Sequence, residues 1–273
     1  MKPPIKLTKR SLSLQEFFEL LGKADPRGMG SDDLEWLGGK TPAELCEYLD
    51  RGDDRLAATA ENTFDSVLAE LLPDTEGGFP IRVASPCGAF PNVGAFLAGR
   101  PDSMFGYEPA PEMGPVKLVL ELTCSAVTSH AEMLARGVAF IGLAYALQTI
   151  RPVEVYVGVS HATFAYREGP GHEHATAVRV SSTPLDLSRL AAICTATGAG
   201  RYLIKDPETK VKQGGWPETT PDKLFDLGPD DIYLPGPKAQ QPWVKDPVGT
   251  LKGQIGNQIE ALLSPLSTFE DFC

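Results

Sequence analysis

The chain has few cysteines, few histidines and fewer basic than acidic residues. Its five cysteines are widely spaced over 273 residues and include no C-x-x-C pair, so neither a disulfide framework nor a zinc site is indicated. Lys and Arg total 25 against 36 Asp and Glu, which gives a net charge of −11. This balance disfavours binding to nucleic acid or to anionic lipid, because both require a basic surface.

No apolar run is long enough to cross a membrane. The longest uncharged apolar run covers residues 137–150 and is shorter than the ~20 residues of a spanning helix. The N-terminus is basic, but no apolar stretch of the signal-peptide type follows it. The sequence therefore predicts a cytoplasmic protein with reduced thiols and no membrane partner. Its 42% apolar content is sufficient for a folded core.

Residues 1–75 are predicted to form a helical N-terminal region. Ser13–Glu16 and Thr41–Glu44 are capping boxes, in which the hydroxyl and the carboxylate each satisfy a free backbone N–H. A third helix is predicted from Asp54 to Leu72, because its apolar residues recur at helical spacing. Residues 76–115 are rich in Gly and Pro and are predicted to be an ordered connector that packs on the core. Residues 116–273 would form that core.

Strands and helices alternate in the predicted core. Val116–Leu122 and Val153–Val159 are predicted strands, and a third capping box at Ser129–Glu132 begins a helix that continues to Thr149. Residues 140–147 have no polar face, so this helix should be buried. The further predicted elements are a hairpin with its turn at Glu168–Gly171 and its return arm at Ala175–Val180, a helix at Leu185–Ile193, strands at Arg201–Lys205 and Asp231–Leu234, and a final helix at Val248–Leu263. The order predicts an α/β fold with a Rossmann-like, mostly parallel sheet.

Oxygen-bearing side chains cluster where the first of these strands ends. Glu121, Thr123 and Ser125 alternate along the chain, and Thr128 and Ser129 follow just before the buried helix. Ligands of open α/β sheets bind beyond the carboxyl ends of the strands. Thr123, Ser125, Thr128 and Ser129 are therefore the predicted binding residues.

This segment resembles the D-x-S-x-S metal loop of von Willebrand factor A-type (vWA) domains, with Glu in place of Asp and Thr in place of the first Ser. The antiparallel strand early in the core is similar to one in vWA domains. The resemblance implies a vWA-like strand order and a Mg²⁺ site completed by an acidic group from a partner protein. The implied ligands are Glu121, Thr123, Ser125, Thr183 and Asp206.

Glu121 is the main departure from that loop. Mg²⁺ needs near-ideal octahedral geometry at ~2.0–2.1 Å, and the additional methylene of Glu displaces the carboxylate. The alternative is a degenerate loop that binds no metal, with Glu121 bonded to neighbouring groups.

The chain as a whole resembles an uncharacterised family of phage and bacterial proteins with a helical N-terminal part and a degenerate vWA-like core. The segments that carry this resemblance are Trp36–Thr41, 93–104, 121–129, 136–139, Pro152–Val157 and Asp231–Pro235. The resemblance implies a phage or mobile-element origin, and with it the cytoplasm of a host cell. It implies no activity.

A catalytic alternative starts from Cys124, which lies between a strand and a helix N-terminus, where a thiolate is stabilised. A phosphatase-type C-x₅-R loop would need Arg where His130 stands, and the glycines of an esterase-type elbow around Ser125 are missing. The sequence therefore predicts a non-enzymatic protein-interaction module that binds another protein. An enzyme with Cys124 or Ser125 as nucleophile and His161 as base is the alternative.

The histidines at 161, 172 and 174 form a second polar group. His172 and His174 would share one face of the return arm, with His161 on the facing arm. Three such side chains could hold zinc, whereas a polar hairpin tip in water is the alternative.

Overall fold

The computed structural model describes residues 6–23, 40–71, 82–85, 90–91, 99, 104–107, 115–124, 128–148, 152–163, 172–181, 185–196, 198–200, 214–215, 217, 219–237 and 241–267. The helices are α1 (Leu14–Lys23), α2 (Pro42–Arg51), α3 (Asp54–Leu71), α4 (His130–Gln148), α5 (Leu187–Thr195), α6 (Pro221–Phe225) and α7 (Pro247–Ser267). The strands are β1 (Lys6–Ser13), β2 (Arg82–Ser85), β3 (Phe90–Pro91), β4 (Met104–Tyr107), β5 (Val116–Glu121), β6 (Val153–Thr163), β7 (His172–Ser181), β8 (Gly214–Gly215) and β9 (Ile232–Leu234).

The main sheet is mixed and mostly parallel, in the order β1-β7-β6-β5-β9, with the short β8 beside the end of β6. The pairs β5–β6, β5–β9 and β1–β7 are parallel, whereas β7 and β8 each pair antiparallel with β6. Strands β5, β6 and β9 therefore end at one edge, which we call the carboxyl edge. The α/β class and the mostly parallel sheet agree with the prediction from the sequence.

One face of the sheet carries almost all of the helices. Leu118 and Leu120 of β5 point into a core that α3, α4, α5 and α7 share, and the helices α1 and α2 extend it. Val119 points to the opposite face, where it packs with Leu224 and Phe225 of α6. The strand β5 is apolar on both faces for this reason, as strands covered on both sides are.

Helix α4 is buried along nearly its whole length, as the missing polar face predicted. All three capping boxes are present. Glu132, for example, accepts a hydrogen bond from the Ser129 N–H at 2.7 Å, and its own N–H donates to the Ser129 hydroxyl at 3.2 Å. The structure has the same reciprocal bonds at Ser13–Glu16 and Thr41–Glu44.

The prediction that the first 75 residues are helical missed β1, which pairs with β7 at the edge of the main sheet. Its sequence is mostly polar, with Leu12 as its one buried residue. Charged side chains are typical of edge strands, because they discourage pairing with another chain. A segment with so few apolar residues gives a weak periodic signal, and so only its tertiary pairing identifies it as a strand.

In the predicted connector, β2, β4 and β3 pair antiparallel as a small separate sheet. The hairpin turn Glu168–Gly171 and the predicted strand Arg201–Lys205 lie outside the described residues, so both stay predictions. The packing of the connector on the core also stays a prediction. Among the described helices, none combines the length and the apolar character that crossing a membrane requires.

Candidate functional site

The candidate site begins at Glu121, the last residue of β5. Glu121 lies opposite Gly158 of β6 in the parallel register, so its side chain reaches towards Ser160, two residues further along β6. On the other side, β9 brings Tyr233 beside β5. The three strands that end at the carboxyl edge thus each contribute a polar side chain.

These groups form a closed hydrogen-bond network. One carboxylate oxygen of Glu121 accepts from the Ser160 N–H at 3.1 Å and from the Ser160 hydroxyl, and the other accepts from the Tyr233 hydroxyl. The Thr123 hydroxyl accepts from the same Ser160 N–H at 3.0 Å and donates to the Ser160 carbonyl at 3.1 Å. The oxygens of Glu121 and Thr123, two of the five implied metal ligands, are therefore already hydrogen-bonded within the protein. We call these four residues the carboxyl-edge network.

Burial governs the protonation of this network. Glu121 is only 2% exposed, and this burial raises the pKa of its carboxyl above the ordinary value. Hydrogen bonds from Ser160 and Thr123 and the positive charge of Arg136 lower the pKa in opposition. Burial is the larger effect, so the fold favours the neutral acid more than water does.

Arg136 is the second buried charge at this edge. Its side chain is 0% exposed, and one terminal nitrogen donates to the carbonyls of Leu234 at 3.0 Å and Pro235 at 2.6 Å, where β9 ends. Its Nε and other terminal nitrogen have no hydrogen-bond partner among the described residues. Burial lowers the pKa of Arg136 to about 10, so the guanidinium stays cationic at neutral pH. Arg136 ties α4 to the end of β9.

The predicted binding residues differ in their exposure. Thr123 and Thr128 are buried, and Ser129 is exposed as the residue that caps α4. Ser125 lies outside the described residues, as do Thr183 and Asp206. The full metal set therefore stays a prediction. The bonds of Glu121 and Thr123 correspond to the degenerate-loop alternative, in which the acid pairs with neighbouring groups.

The histidines do come together, but not as a tip in water. His161 lies directly opposite His174 in the β6–β7 register, their rings stack with centroids 5.1 Å apart, and His172 lies next to His174 at 6.5 Å. His161 is 4% exposed, so the expectation of a solvated position is wrong for it. The described residues include no group of three His, Cys, Asp or Glu side chains placed to hold a metal ion.

Among the described residues, His161 is not hydrogen-bonded to a candidate nucleophile. Neither of its ring nitrogens has a hydrogen-bond partner there, so it is not bonded to Cys124, which is half-buried after β5. Ser125 lies outside the described residues. Burial, and then the nearby His174, lower the pKa of His161 to about 4. A base with so low a pKa is neutral at pH 7 but takes up a proton weakly.

Sequence reasoning missed Ser160, Tyr233 and Arg136. Arg136 carried a signal, because it is a charged residue directly before the apolar part of a helix predicted to be buried. Ser160 and Tyr233 carried none that was specific. Their roles come from strand pairing, which places them beside Glu121 across 39 and 112 residues of sequence.

Comparison with known proteins gives a family and no neighbour of known activity. No curated protein and no solved structure matches the chain. The family model described as "Domain of unknown function (DUF7192)" matches residues 6–219, which include the strands β1 to β8 and the helices α1 to α5. The chain belongs to the DUF7192 family.

Proposed function

We propose that this chain is a non-enzymatic interaction module that binds another protein at the carboxyl edge of its sheet. The carboxyl-edge network carries the proposal. Its acid and hydroxyl groups are bonded to one another and so form a fixed group at the carboxyl edge. Sites on such rigid elements keep their shape when a partner binds.

The proposed contact surface is the rim, which we define as the exposed residues Ser129, His130 and Ala131 at the start of α4. Cys124, which follows β5, is half-buried. Thr123 and Thr128 would support this surface from within rather than contact the partner, since both are buried.

The hydrogen bonding and the pKa of His161 favour the interaction module over the enzyme alternative. A nucleophile of the Cys or Ser type is activated by a base within hydrogen-bond reach. In the part of the chain that the structure describes, neither nitrogen of His161 has a hydrogen-bond partner, and its lowered pKa makes it a poor proton acceptor at neutral pH.

We also propose that the core is a degenerate vWA-like domain. In its support, β5, β6 and β9 are parallel neighbours, and the antiparallel β7 follows β6. In contrast to the expected order, β1 lies outside β7, so the antiparallel strand is not at the sheet edge. A phage or mobile-element origin and a place in the host cytoplasm belong to this proposal and rest on the sequence resemblance alone.

The test places a charge at the rim. Ala131→Glu adds a carboxylate at an exposed position in the first turn of α4, where the helix dipole tolerates it. Ala43→Glu is a matched control, because Ala43 is exposed one residue after the start of α2 and, like Ala131, lies within a capping box. Each protein is immobilised and exposed to an extract of the cells that naturally carry the gene.

We expect the extract to contain a protein that both wild type and Ala43→Glu retain. Ala131→Glu should retain at least about tenfold less of it, because a charge buried in an interface weakens association. Equal retention by all three proteins would place the contact elsewhere. If no protein is retained selectively by wild type, the chain is not an interaction module. EDTA should leave the retention unchanged, because the oxygens of Glu121 and Thr123 are hydrogen-bonded within the network.

A further inference from the structure

A cleft of about 500 Å³ lies in the helical layer, away from the carboxyl-edge network. Its walls come from α2, from the first turns of α3 and α4, and from residues at and just after the end of α5. A volume of this size lies within the range of small-molecule sites, ~300–1,000 Å³. It is formed by ordered helices whose starts are fixed by caps at Thr41 and Ser129.

The charge of the lining is opposite to that of the chain. Lys40 and Arg55 are basic residues in the cleft wall, and Asp53 is the one acidic residue among the described lining residues. In the whole chain, acidic residues outnumber basic ones by 36 to 25. Neither Lys40 nor Arg55 forms an ion pair with a carboxylate in the part of the chain that the structure describes.

Asp53 is already bound by neighbouring groups. One of its oxygens accepts from the Leu56 N–H at 2.9 Å, and the other accepts from the Tyr48 hydroxyl at 3.0 Å. Burial, followed by the bond to Asp53, raises the pKa of Tyr48 to about 12, so the phenol stays protonated and its proton stays on this bond. Asp53 therefore acts as the cap and anchor of the cleft wall.

The two threonine hydroxyls of the described lining also donate hydrogen bonds within the protein. Thr59 donates to the Arg55 carbonyl at 2.9 Å, and Thr195 donates to the Ala191 carbonyl at 2.7 Å. A ligand would thus meet few neutral donors among these side chains. The ammonium, the guanidinium and the imidazole are the groups that remain to donate to it.

The rest of the lining is apolar. Leu45, Leu56 and Leu134 line the cleft with the ring of Tyr48. The Lys40 ammonium lies over that ring, 4.9 Å from its centroid. The cleft therefore combines a cationic side with an apolar and aromatic one, which is the usual composition of a site for a charged organic molecule.

We propose that this cleft binds a small organic anion, a carboxylate or a phosphate ester on a compact aromatic or apolar body. Lys40 and Arg55 bind the anionic group, and Tyr48 with the leucines contacts the body. The site overlaps the proposed protein contact at His130, at the start of α4. A divalent metal is not the expected ligand, because Asp53 is the one carboxylate among the described lining residues and both of its oxygens are bonded.

Four probes test the two halves of the proposal. The probes are 2-naphthoate, 1-naphthyl phosphate, uncharged 2-naphthamide and inorganic phosphate, each titrated into the full chain by isothermal calorimetry. We expect at least one of the two naphthyl anions to bind, and to bind at least about tenfold more tightly than both the amide and inorganic phosphate.

The double variant Lys40→Met/Arg55→Met removes both cations and keeps their apolar stems. Lys23→Met/Lys252→Met is the matched control, because it removes the same charge at two exposed positions outside the cleft. Binding of the anion should weaken at least about tenfold in the first variant and less than about twofold in the control. Thermal unfolding of each variant verifies that it is folded.

Three results would overturn the proposal. The first is the absence of saturable binding of either naphthyl anion up to about 10 mM, because a specific small-molecule site has a lower Kd than this concentration. The second is equal binding of the amide, which would leave the cations without a role. The third is anion binding that the cleft variant and the control change equally, which would place the site elsewhere.

Discussion

Replacing Tyr233 with Phe removes one hydroxyl from the carboxyl-edge network. The ring should stay in place, because it stacks on Phe225 with centroids 5.6 Å apart. The loss depends on the state of Glu121. A hydrogen bond to a charged group contributes about 1.5–3 kcal/mol, and one between neutral groups contributes about 0.5–1.5 kcal/mol.

The pH dependence follows from the raised pKa of Glu121. A carboxyl whose pKa is higher in the folded than in the unfolded state stabilises the fold below the unfolded value, and this contribution is lost as pH rises through the folded pKa. The Tyr233 hydroxyl moderates that loss, because it donates to the ionised form. Tyr233→Phe should therefore destabilise the protein by about 1 kcal/mol at an acidic pH at which Glu121 is protonated, and by about 2 kcal/mol at a higher pH at which it is ionised.

Urea unfolding at these two pH values gives the comparison, and Glu121→Gln gives its control. The amide cannot ionise, so in that background Tyr233→Phe should cost about 0.5–1.5 kcal/mol at either pH. The double-mutant cycle isolates the interaction of the pair. A loss that is the same at both pH values and in both backgrounds would refute the bond to an ionisable carboxyl.

Three further perturbations have expected outcomes. Gly137→Ala would place a Cβ 2.6 Å from the Cys194 carbonyl oxygen and should lower the free energy of unfolding by about 1–3 kcal/mol. The Cβ of Gly253→Ala would have no atom within 4 Å, so this variant should raise the free energy of unfolding by up to about 1 kcal/mol. If urea unfolding showed that both variants are more stable than wild type, the close contact at Gly137 would be contradicted. Burial raises the pKa of the Cys194 thiol to about 12, so this thiol should react with iodoacetamide only after unfolding. Peptide mass spectrometry measures the labelling. Labelling of Cys194 in the native protein would be inconsistent with its burial. Because the pKa of His161 is lowered to about 4, the free energy of unfolding should fall by about 1–3 kcal/mol as pH falls from about 6.5 to about 4. His161→Phe should reduce this dependence of stability on pH, measured by thermal melts. An unchanged dependence would show that other groups cause it.

Local signals predicted the parts of the fold that depend on local chemistry. The capping boxes placed the starts of three helices correctly, because the serine or threonine and the glutamate of each box, three residues apart, bond to one another. The strand β5 and helix α4 were predicted from apolar runs, and both are buried. Such runs leave a chain few alternatives to the interior.

The candidate site was predicted only in part, because its contacts join distant segments. Glu121 and Thr123 were identified as polar groups at a strand end, and the structure places both there. Their bonds to Ser160 and Tyr233 depend on which strands are neighbours and in which register. Neither property has a sequence signal when several strands are similarly apolar.

The position of β1 has a consequence for synthesis on the ribosome. β1 ends at Ser13, and the strand it pairs with begins at His172, so roughly 160 residues must be translated before its backbone finds a partner. At about 5–20 residues per second, this takes roughly ten to thirty seconds. During that interval the lysines and arginine of β1 keep the emerging segment hydrated, and the sheet is completed from its N-terminal edge only after the middle of the chain has been made.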